Sequence, residues 1–549
     1  MCRKTVRTVV LTLLFSLVVS LGTFGGGRSQ RSSSDLVTLT ALHMSTLPAG
    51  IQEGYYWTEI LKEDLGIALD FVPSTPENIQ TYLASGDIPD ISVFNNVDHL
   101  ETAIRAGLVV NYDDYRDKLP NVFANFGTML QYVRDNLSAG TGGLYSLRHS
   151  VSNQPSRVGT NNLGPYLRWD YYKELGYPEI ANWEDYLPVL KAMVDRHPLT
   201  ESGQKVYGIS LWSNWDVNYM SVGTLPMHMM GQYSPGGFLE VDMTTHASRS
   251  FLDDTSYYKR ALKFYYSANQ MGILDPDSIT QAWDTFLEKG TAGRSLFSLP
   301  TYGFGNFNTT AKAAQGIGSR LVPFTNEKIY NWGAPTYIGA RGGLAVSKKT
   351  TNLEKSLAFV DYYSSYDGVW QLVNGRKGVK WDLDEQGQPY LTELGWRIQN
   401  DGVEFPNGGK NNEGTFLTTQ EPLMNGRAIH PVYKRRIDGA DWIKKSFAPP
   451  DTALVVDWKR VMNAEDDMDY FIKHNMLVDP PLAGMPVAPD DIQLLVQRIG
   501  QVVQPTSWKM VYAKDEAEFN ALWADMVSQA KGIGIDRVNQ WYLDAYNAA

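Results

Sequence analysis

Residues 36–42 read LVTLTAL, an apolar-rich run that predicts a β-strand. A predicted helix over Tyr55–Leu65 follows, and a second strand is predicted over Ala68–Val72. A short helix over Asn78–Ala84 then leads to a third strand, Ile91–Phe94. Because strands that alternate with helices pair in parallel, this stretch predicts an α/β sheet, and its ligands are expected beyond the C-terminal strand ends.

The rest of the chain combines further helices with a second α/β pattern. The predicted helices of the middle region are Pro165–Leu175, Trp183–Asp195, Tyr257–Met271 and Thr280–Gly290. A β segment recurs at Leu344–Val346 and precedes a helix over Asn352–Tyr363, and helices dominate again from about residue 413. This alternation predicts two lobes that the chain crosses more than once.

The composition excludes several classes of protein. The 549 residues include one cysteine, Cys2, which leaves no disulfide framework, cysteine zinc site or iron–sulfur cluster. Lys plus Arg number 49 against 60 Asp plus Glu, and this net charge of −11 argues against nucleic-acid binding. Aromatic residues make up 12% of the chain, and flat rings with polar edges suit sugar faces and peptides.

The N-terminus predicts export. Three basic residues precede the apolar run Val9–Leu21, which is shorter than the about 20 residues of an unaided membrane span. Residues 1–24 are therefore predicted to be a signal peptide and residues 25–35 a Gly/Ser-rich tether. An uncleaved N-terminal anchor is the alternative.

Leu21-Gly22-Thr23-Phe24 resembles the box that ends bacterial lipoprotein signals. Phe24 stands where the acylated cysteine would be, so lipid anchoring is not expected of this lipoprotein-like segment. The mature protein is expected to be extracytoplasmic, whether secreted, periplasmic or cell-surface associated. A mature chain without cysteine fits an oxidising compartment.

Six motifs carry a resemblance to a known family. They are Gly86–Ile91 (GDIPDI), Thr141–Leu147 (TGGLYSL), Leu167–Gly176 (LRWDYYKELG), Asn182–Tyr186 (NWEDY), Phe359–Gly368 (FVDYYSSYDG) and Gly375–Gly387 (GRKGVKWDLDEQG). In this order they resemble motifs of the extracellular solute-binding proteins of bacterial ABC importers, over roughly residues 36–395. The similarity is closest to the oligosaccharide-binding branch, which includes alginate-binding and maltose-binding-like proteins.

The resemblance implies a two-lobed periplasmic-binding-protein-like (flytrap) fold of the α/β class. Each lobe would hold a mainly parallel sheet flanked by helices, with extra helices in the C-terminal lobe. Residues 36–150 and about 338–412 would form the N-terminal lobe, and about 151–337 and 413–549 the C-terminal lobe. The family function is to deliver an oligosaccharide to membrane permease subunits, without catalysis or cofactor, and a monomer is expected.

One loop departs from the pattern of that branch. Members often carry an acidic calcium loop after the helix that follows the first crossing, whereas this chain has Glu201 as the single carboxylate of residues 197–206. Calcium needs several oxygen ligands at alternating positions. We therefore expect no metal at this loop.

The candidate ligand residues are led by an aromatic segment. Trp212, Trp215 and Asp216 follow a probable strand over Tyr207–Leu211, at a position where rings could cover sugar faces and an acid could bind hydroxyls. The alternative is that both tryptophans are core residues. Trp283, on a predicted helix, is as consistent with the core as with the ligand.

Further candidates lie in other segments. Tyr302 and Trp332 occur in Gly/Pro-rich stretches near the predicted second crossing, where loops often carry function. Asn95 and Asp98 follow the third strand and could bind sugar hydroxyls or simply cap the loop. Arg168 either faces the cleft or makes an interlobe ion pair, and a cleft position shared with Arg341 would favour an acidic sugar such as a uronate.

Enzymatic motifs are weak. The sequence has no HExxH, GxSxG or GxxxxGK[ST] pattern, and its adjacent acidic pairs do not by themselves make the two opposed carboxylates of a glycosidase. A secreted carbohydrate-active enzyme, such as a glycosidase or lyase, is nevertheless an alternative because of the aromatic content. A peptide-binding receptor of the same fold is a third possibility.

Overall fold

The fold was analysed in a computed structural model, which describes residues 36–43, 47–153, 163–332, 336–339, 341–411, 413–414, 423–443, 450–479, 481 and 485–548, without the side chain of residue 341. The predicted signal peptide and tether lie outside these residues. Of the helices in the described ranges, none is long and apolar enough to cross a membrane.

The secondary structure follows an α/β pattern with a helical C-terminal part. The strands are β1 (Val37–Leu42), β2 (Gly50–Ile51), β3 (Ile67–Val72), β4 (Ile91–Val93), β5 (Leu147–His149), β6 (Leu163–Arg168), β7 (Tyr207–Ile209), β8 (Gln232–Gly236), β9 (Leu239–Asp242), β10 (Ser248–Ser250), β11 (Ser295–Pro300), β12 (Ser319–Leu321), β13 (Ile329–Tyr330), β14 (Arg341–Val346), β15 (Trp381–Leu383), β16 (Pro389–Leu391) and β17 (Leu477–Val478). The α-helices are α1 (Tyr56–Leu65), α2 (Pro76–Ser85), α3 (Val97–Arg105), α4 (Pro120–Asn125), α5 (Gly127–Asn136), α6 (Trp169–Glu174), α7 (Tyr186–Arg196), α8 (Ser221–Met229), α9 (Tyr257–Gln270), α10 (Trp283–Thr291), α11 (Thr310–Ala314), α12 (Leu353–Tyr363), α13 (Tyr366–Asn374), α14 (Glu393–Asn400), α15 (Ala453–Met462), α16 (Asp467–Lys473), α17 (Asp490–Val511), α18 (Glu516–Ile533) and α19 (Ile535–Ala548).

The first α/β stretch forms as its sequence predicts. β1 and β3 pair in parallel along their whole length. Helix α2 begins after Thr75, whose hydroxyl accepts a hydrogen bond from the N–H of Asn78, and Pro76 supplies a helical φ at its first position. The helix ends at Gly86, whose φ of 66° lies in the left-handed region that glycine adopts without strain.

The first sheet has the strand order β2-β3-β1-β4-β14-β5. β1 pairs in parallel with β3 and β4, whereas β14 runs antiparallel to β4 and β5. The chain enters β14 on its return from the second lobe and there runs opposite to β4. The sheet is therefore mixed, which corrects the expectation of mainly parallel sheets.

The second sheet has the order β12-β6-β11-β7. β7 and β11 are parallel, whereas β6 runs antiparallel to both β11 and β12. A separate antiparallel sheet, β10-β9-β8, lies in the same part of the chain. The pairing in the four-stranded sheet β12-β6-β11-β7 is therefore also mixed. In this sheet the start of β6 lies beside the C-terminal end of β11, near which the candidate residues lie.

Two hydrophobic cores confirm the two-lobed α/β class. One core joins buried residues of the ranges 39–151 and 344–442, and the other joins those of 163–329 and 454–538. The chain therefore passes between the lobes three times. Helices α17, α18 and α19 pack with α9 and the β8–β9 hairpin of the second core, which confirms the extra helices there.

We place the third crossing beyond the division at residue 413 that the sequence suggested, on the basis of the two cores. Trp442 stacks on Trp370 with ring centroids 4.7 Å apart, and Leu423 and Met424 also belong to the first core. Leu454 is the next residue of the second core. We therefore propose that this crossing falls between residues 442 and 454.

Candidate functional site

An aromatic cluster, formed by Trp212, Trp215, Trp283, Phe286 and Tyr302, lies at one edge of the second sheet. The rings of Trp215 and Trp283 stack with centroids 4.6 Å apart. Trp212 meets these two rings edge-on at 5.2 and 4.7 Å, and Tyr302 meets Trp283 at 5.5 Å. The structure thus brings together four residues that the sequence predicted from three separate segments.

The cluster forms because β7 and β11 are parallel neighbours. Trp212 lies a few residues after β7 ends at Ile209, and Tyr302 lies just after β11 ends at Pro300, so both emerge at the C-terminal end of these strands. Trp283 begins α10. Its backbone N–H donates a hydrogen bond to Asn214 Oδ1 at 2.9 Å, and this bond ties the helix to the loop that bears Trp212. Pro300 of β11 pairs with Leu163, so this edge adjoins the first crossing between the lobes.

The rings of the cluster differ in exposure. Trp215 is 41% exposed and Tyr302 43%, whereas Trp212 is 2% exposed and Trp283 is half-buried. The buried rings fix the orientation of the exposed ones by edge-to-face and stacked contacts. The cluster therefore presents Trp215 and Tyr302 as apolar surfaces on a rigid base.

A buried polar network supports the cluster from within the lobe. Lys289 Nζ donates to Asp275 Oδ2 at 2.7 Å and to Asp277 Oδ2 at 2.8 Å. Ser210 Oγ donates to the same Asp275 oxygen at 2.7 Å, and Gln281 Nε2 donates to Ser210 Oγ at 2.7 Å. Burial lowers the pKa of Lys289, but its bonds to the two carboxylates outweigh burial and raise the pKa. The network fixes the residues that precede Trp212 and Trp283.

Asp216 is engaged by the protein. Its Oδ2 accepts a hydrogen bond from Trp508 Nε1 at 2.6 Å, and its Oδ1 accepts one from the backbone N–H of Ser221 at 2.7 Å. Burial raises the pKa of this carboxyl. Asp216 therefore clamps the loop of the aromatic cluster to α17 and to the start of α8.

Arg168 lies at the opposite edge of the second sheet. Leu167 pairs with Phe297, so Arg168 is level with the first residues of β11, whereas Tyr302 follows its last residue. At about 3.3 Å per residue the two are roughly 20 Å apart along the strand. The guanidinium donates to both carboxylate oxygens of Asp170 at 2.8 and 2.9 Å. This ion pair lies within one lobe, not between lobes.

Asn95 and Asp98 lie beyond the C-terminal end of strand β4 in the first sheet. They follow β4, in which Val93 pairs with Leu344 close to the second crossing. Both side chains are exposed. Asn96 caps α3 by accepting a hydrogen bond from the N–H of Asp98 at 2.8 Å. The cap thus uses the backbone N–H of Asp98 and does not involve its exposed carboxylate.

Trp332 lies outside the aromatic cluster. It follows β13, which pairs in parallel with β17, and its half-buried ring packs against the second core. The sequence reasoning missed Phe286, although a spacing of three residues from Trp283 on one helix predicts contact. It also missed His43, which follows β1 on the same side of the first sheet as Asn95. Burial, and the nearby His149, lower the pKa of His43.

The loop that departs from the calcium pattern is closed by neutral side chains. Thr200 Oγ1 and Ser202 Oγ are 2.9 Å apart, and the N–H of Gln204 donates to Thr200 Oγ1 at 3.1 Å. Within the described ranges no group of three His, Cys, Asp or Glu side chains is placed to hold a metal.

Comparison with solved structures identifies the fold. The chain is similar to an HMO-binding, ABC-transporter-associated solute-binding protein from Bifidobacterium longum infantis, with a TM-score of 0.60 and 16% identity over 93% of this chain and 99% of that one. The alginate-binding protein AlgQ2 without calcium ion gives 0.59 and 17% over 94% and 99%. The S. pneumoniae substrate-binding protein FusA in complex with kestose gives 0.59 and 16% over 93% and 100%.

These similarities extend over nearly the whole of both chains. No protein-family model matches the sequence, and no curated protein matches it. At 16–17% identity the likeness shows the fold, which is that of ABC-transporter solute-binding proteins. It confirms the two-lobed fold that the six motifs implied.

Proposed function

We propose that this protein is the extracytoplasmic substrate-binding component of an ABC-type sugar importer. It captures an oligosaccharide between its lobes and delivers it to the permease. One observation supports the proposal: in each sheet, several candidate ligand residues follow strand ends that lie next to a crossing between the lobes. The second sheet presents the aromatic cluster there, and the first presents Asn95 and Asp98. Structural neighbours that bind HMO, alginate and kestose support a sugar ligand.

The aromatic cluster suits one face of a sugar ring. The exposed face of Trp215 can cover the apolar C–H groups, and Trp283, stacked behind it, keeps the indole from turning away. Sugar hydroxyls lose water on burial and need hydrogen-bond partners in return. Asn95 and Asp98 supply amide and carboxylate groups for this from the first lobe.

Closure of the lobes follows because the second lobe provides the stacking contacts and the first lobe provides the polar contacts. A ligand that stacks on the second lobe completes its polar contacts only when the first lobe approaches. Because the contacts are better in the closed state, the ligand shifts the equilibrium between open and closed forms. The three crossings provide the hinge, and the closed form is the species that the permease recognises.

We propose that the protein breaks no bond in its ligand. A glycosidase needs two carboxyl groups on opposite sides of the scissile bond. Asp216 is the carboxylate that belongs to the cluster loop, and Trp508 and Ser221 already occupy its oxygens. Trp332 remains a proposed ligand contact, and we propose that Arg168, through its ion pair with Asp170, stabilises its own lobe. The protein would act outside the cytoplasm as a monomer.

Ligand titration tests the proposal. Purified protein should show a rise in melting temperature, heat of binding and a smaller radius of gyration with at least one oligosaccharide of a panel. Chromatography should find the sugar intact after long incubation. A panel that produces no heat, no shift and no compaction would refute the function, and released products would favour a carbohydrate-active enzyme.

A variant pair tests the role of the first lobe. The double variant Asn95→Ala/Asp98→Ala should weaken binding and reduce compaction while leaving the melting temperature nearly unchanged, because both side chains are exposed. Arg105→Ala, at the far end of the same helix α3, should bind as the unmodified protein does. Equal affinity in all three proteins would remove Asn95 and Asp98 from the site.

A further inference from the structure

We infer that the aromatic cluster selects an uncharged sugar ring and disfavours a uronate. This inference rests on the proposed function of the cluster. It concerns the charge of the ligand, which decides between two chemically distinct classes of oligosaccharide. The arrangement of charged side chains around the cluster carries it.

Helix α10 exposes acids and buries its base. Asp284 follows Trp283 directly and is exposed, and Glu288, one turn further along, is also exposed. Lys289 is turned inward, where Asp275 and Asp277 neutralise it and its side chain is 6% exposed. The helix that bears a platform tryptophan therefore shows negative charge to solvent.

Cations of the second sheet gather at the far edge. The guanidinium of Arg168 lies 4.3 Å from the ring centroid of Phe307, and Lys312 Nζ lies 3.9 Å from the same centroid. Arg294 precedes β11 and donates from Nε to the carbonyl of Lys205 at 3.2 Å. These groups lie at the N-terminal end of β11, whereas the aromatic cluster lies beyond its C-terminal end.

Among the described residues of the second lobe, a uronate carboxylate at the cluster would find little compensation. Its carboxylate needs charge-assisted hydrogen bonds, best from a bidentate arginine, to offset the loss of water. Arg168, the candidate arginine of the second lobe, is paired with Asp170 at the other end of the strands. Asp284 and Glu288 would repel the anion, and the net charge of −11 slows its approach. A neutral hydroxymethyl group at the same ring position loses less hydration on burial and is not repelled by these acids.

The test compares sugars that differ only in that group. Manno-oligosaccharides and oligomannuronates of equal length and linkage form one pair, and galacto-oligosaccharides and oligogalacturonates form a second. Calorimetry at low and high salt measures each dissociation constant. We expect the neutral member to bind at least about tenfold more tightly, with the gap narrowing as salt screens the repulsion.

Variants assign the cause. Asp284→Asn/Glu288→Gln should narrow the gap between neutral and acidic sugars and leave the neutral affinity unchanged. Glu385→Gln, an exposed acid in the β15–β16 turn of the first lobe, is the control and should leave the gap as it is. An unchanged gap in the α10 variant would overturn the assignment to these acids.

The outcomes separate the two levels of the proposal. Uronates that bind as tightly as their neutral partners, or more tightly, overturn the charge selection while the solute-binding function stands. Failure of every sugar of both classes to bind, in a protein that unfolds cooperatively, overturns the proposed function itself.

Discussion

Replacing Lys289 with methionine should destabilise the second lobe strongly. The substitution keeps a long unbranched side chain but removes the ammonium that pairs with the fully buried Asp275. That carboxylate would then retain neutral donors, chiefly Ser210 Oγ at 2.7 Å. Removal of one partner of a buried ion pair costs about 3–5 kcal/mol, so we expect a loss of that size in the free energy of unfolding.

Urea unfolding followed by circular dichroism measures this loss. The double variant Asp275→Asn/Lys289→Met should recover most of it, because no uncompensated buried charge remains. Lys191→Met is the control, since its partner Asp195 lies on the same exposed face of α7 and such pairs contribute only about 0.5 kcal/mol. A loss below about 1 kcal/mol for Lys289→Met, or an equal loss in the double variant, would refute the role of the network.

Three further predictions concern binding and pH. The exposed 41% of Trp215 is about 80 Å² of a side chain that can bury roughly 200 Å², and covering it with a sugar contributes about 2 kcal/mol. Trp215→Ala should therefore raise the dissociation constant about 30-fold. The control Trp396→Ala, at a half-buried residue of the first lobe, should leave the dissociation constant unchanged. Burial raises the pKa of Glu240 to about 7, so the native state holds a proton that the unfolded chain releases, and the free energy of unfolding should fall between about pH 4.5 and 7. Glu240→Gln should abolish that decline in urea titrations at several pH values, and an unchanged profile would contradict the assignment. Burial lowers the pKa of Lys380 to about 7, so the unfolded chain holds the extra proton and stability should rise between about pH 7 and 10.5; Lys380→Met should flatten that rise, and equal slopes in both proteins would count against it.

Local sequence signals were sufficient for the order of strands and helices in the first α/β stretch, but the helix predicted over Pro165–Leu175 was wrong in its first part, which is strand β6 (Leu163–Arg168). Thr75, Pro76 and Gly86 mark the ends of α2 through side-chain capping and φ preference, which are properties of a few adjacent residues. The direction of β14 was not accessible in this way, because it depends on the path of the chain through the other lobe. The position proposed for the third crossing likewise rests on the contact of Trp442 with Trp370, which joins segments far apart in sequence.

The candidate site was predictable in part for the same reason. Trp212 and Tyr302 each follow a strand, so the parallel pairing of β7 with β11 was enough to join them. Arg168 is the last residue of β6, but β6 runs antiparallel to β11, so Arg168 lies at the opposite end of the strands. Asp216 was correctly placed on the loop, yet its hydrogen bond to Trp508 joins positions far apart in sequence.

The close arrangement of the tryptophans also has an optical consequence. Trp212, Trp215 and Trp283 hold three indoles with centroid separations of 4.6–5.2 Å, two of them stacked and the third nearly perpendicular. At such separations the electronic transitions of the rings couple, and a fixed skewed geometry converts this coupling into a paired positive and negative band in circular dichroism. The protein therefore carries its own chromophore at the proposed site, and a sugar that covers Trp215 and alters this coupling would change the circular dichroism without any label.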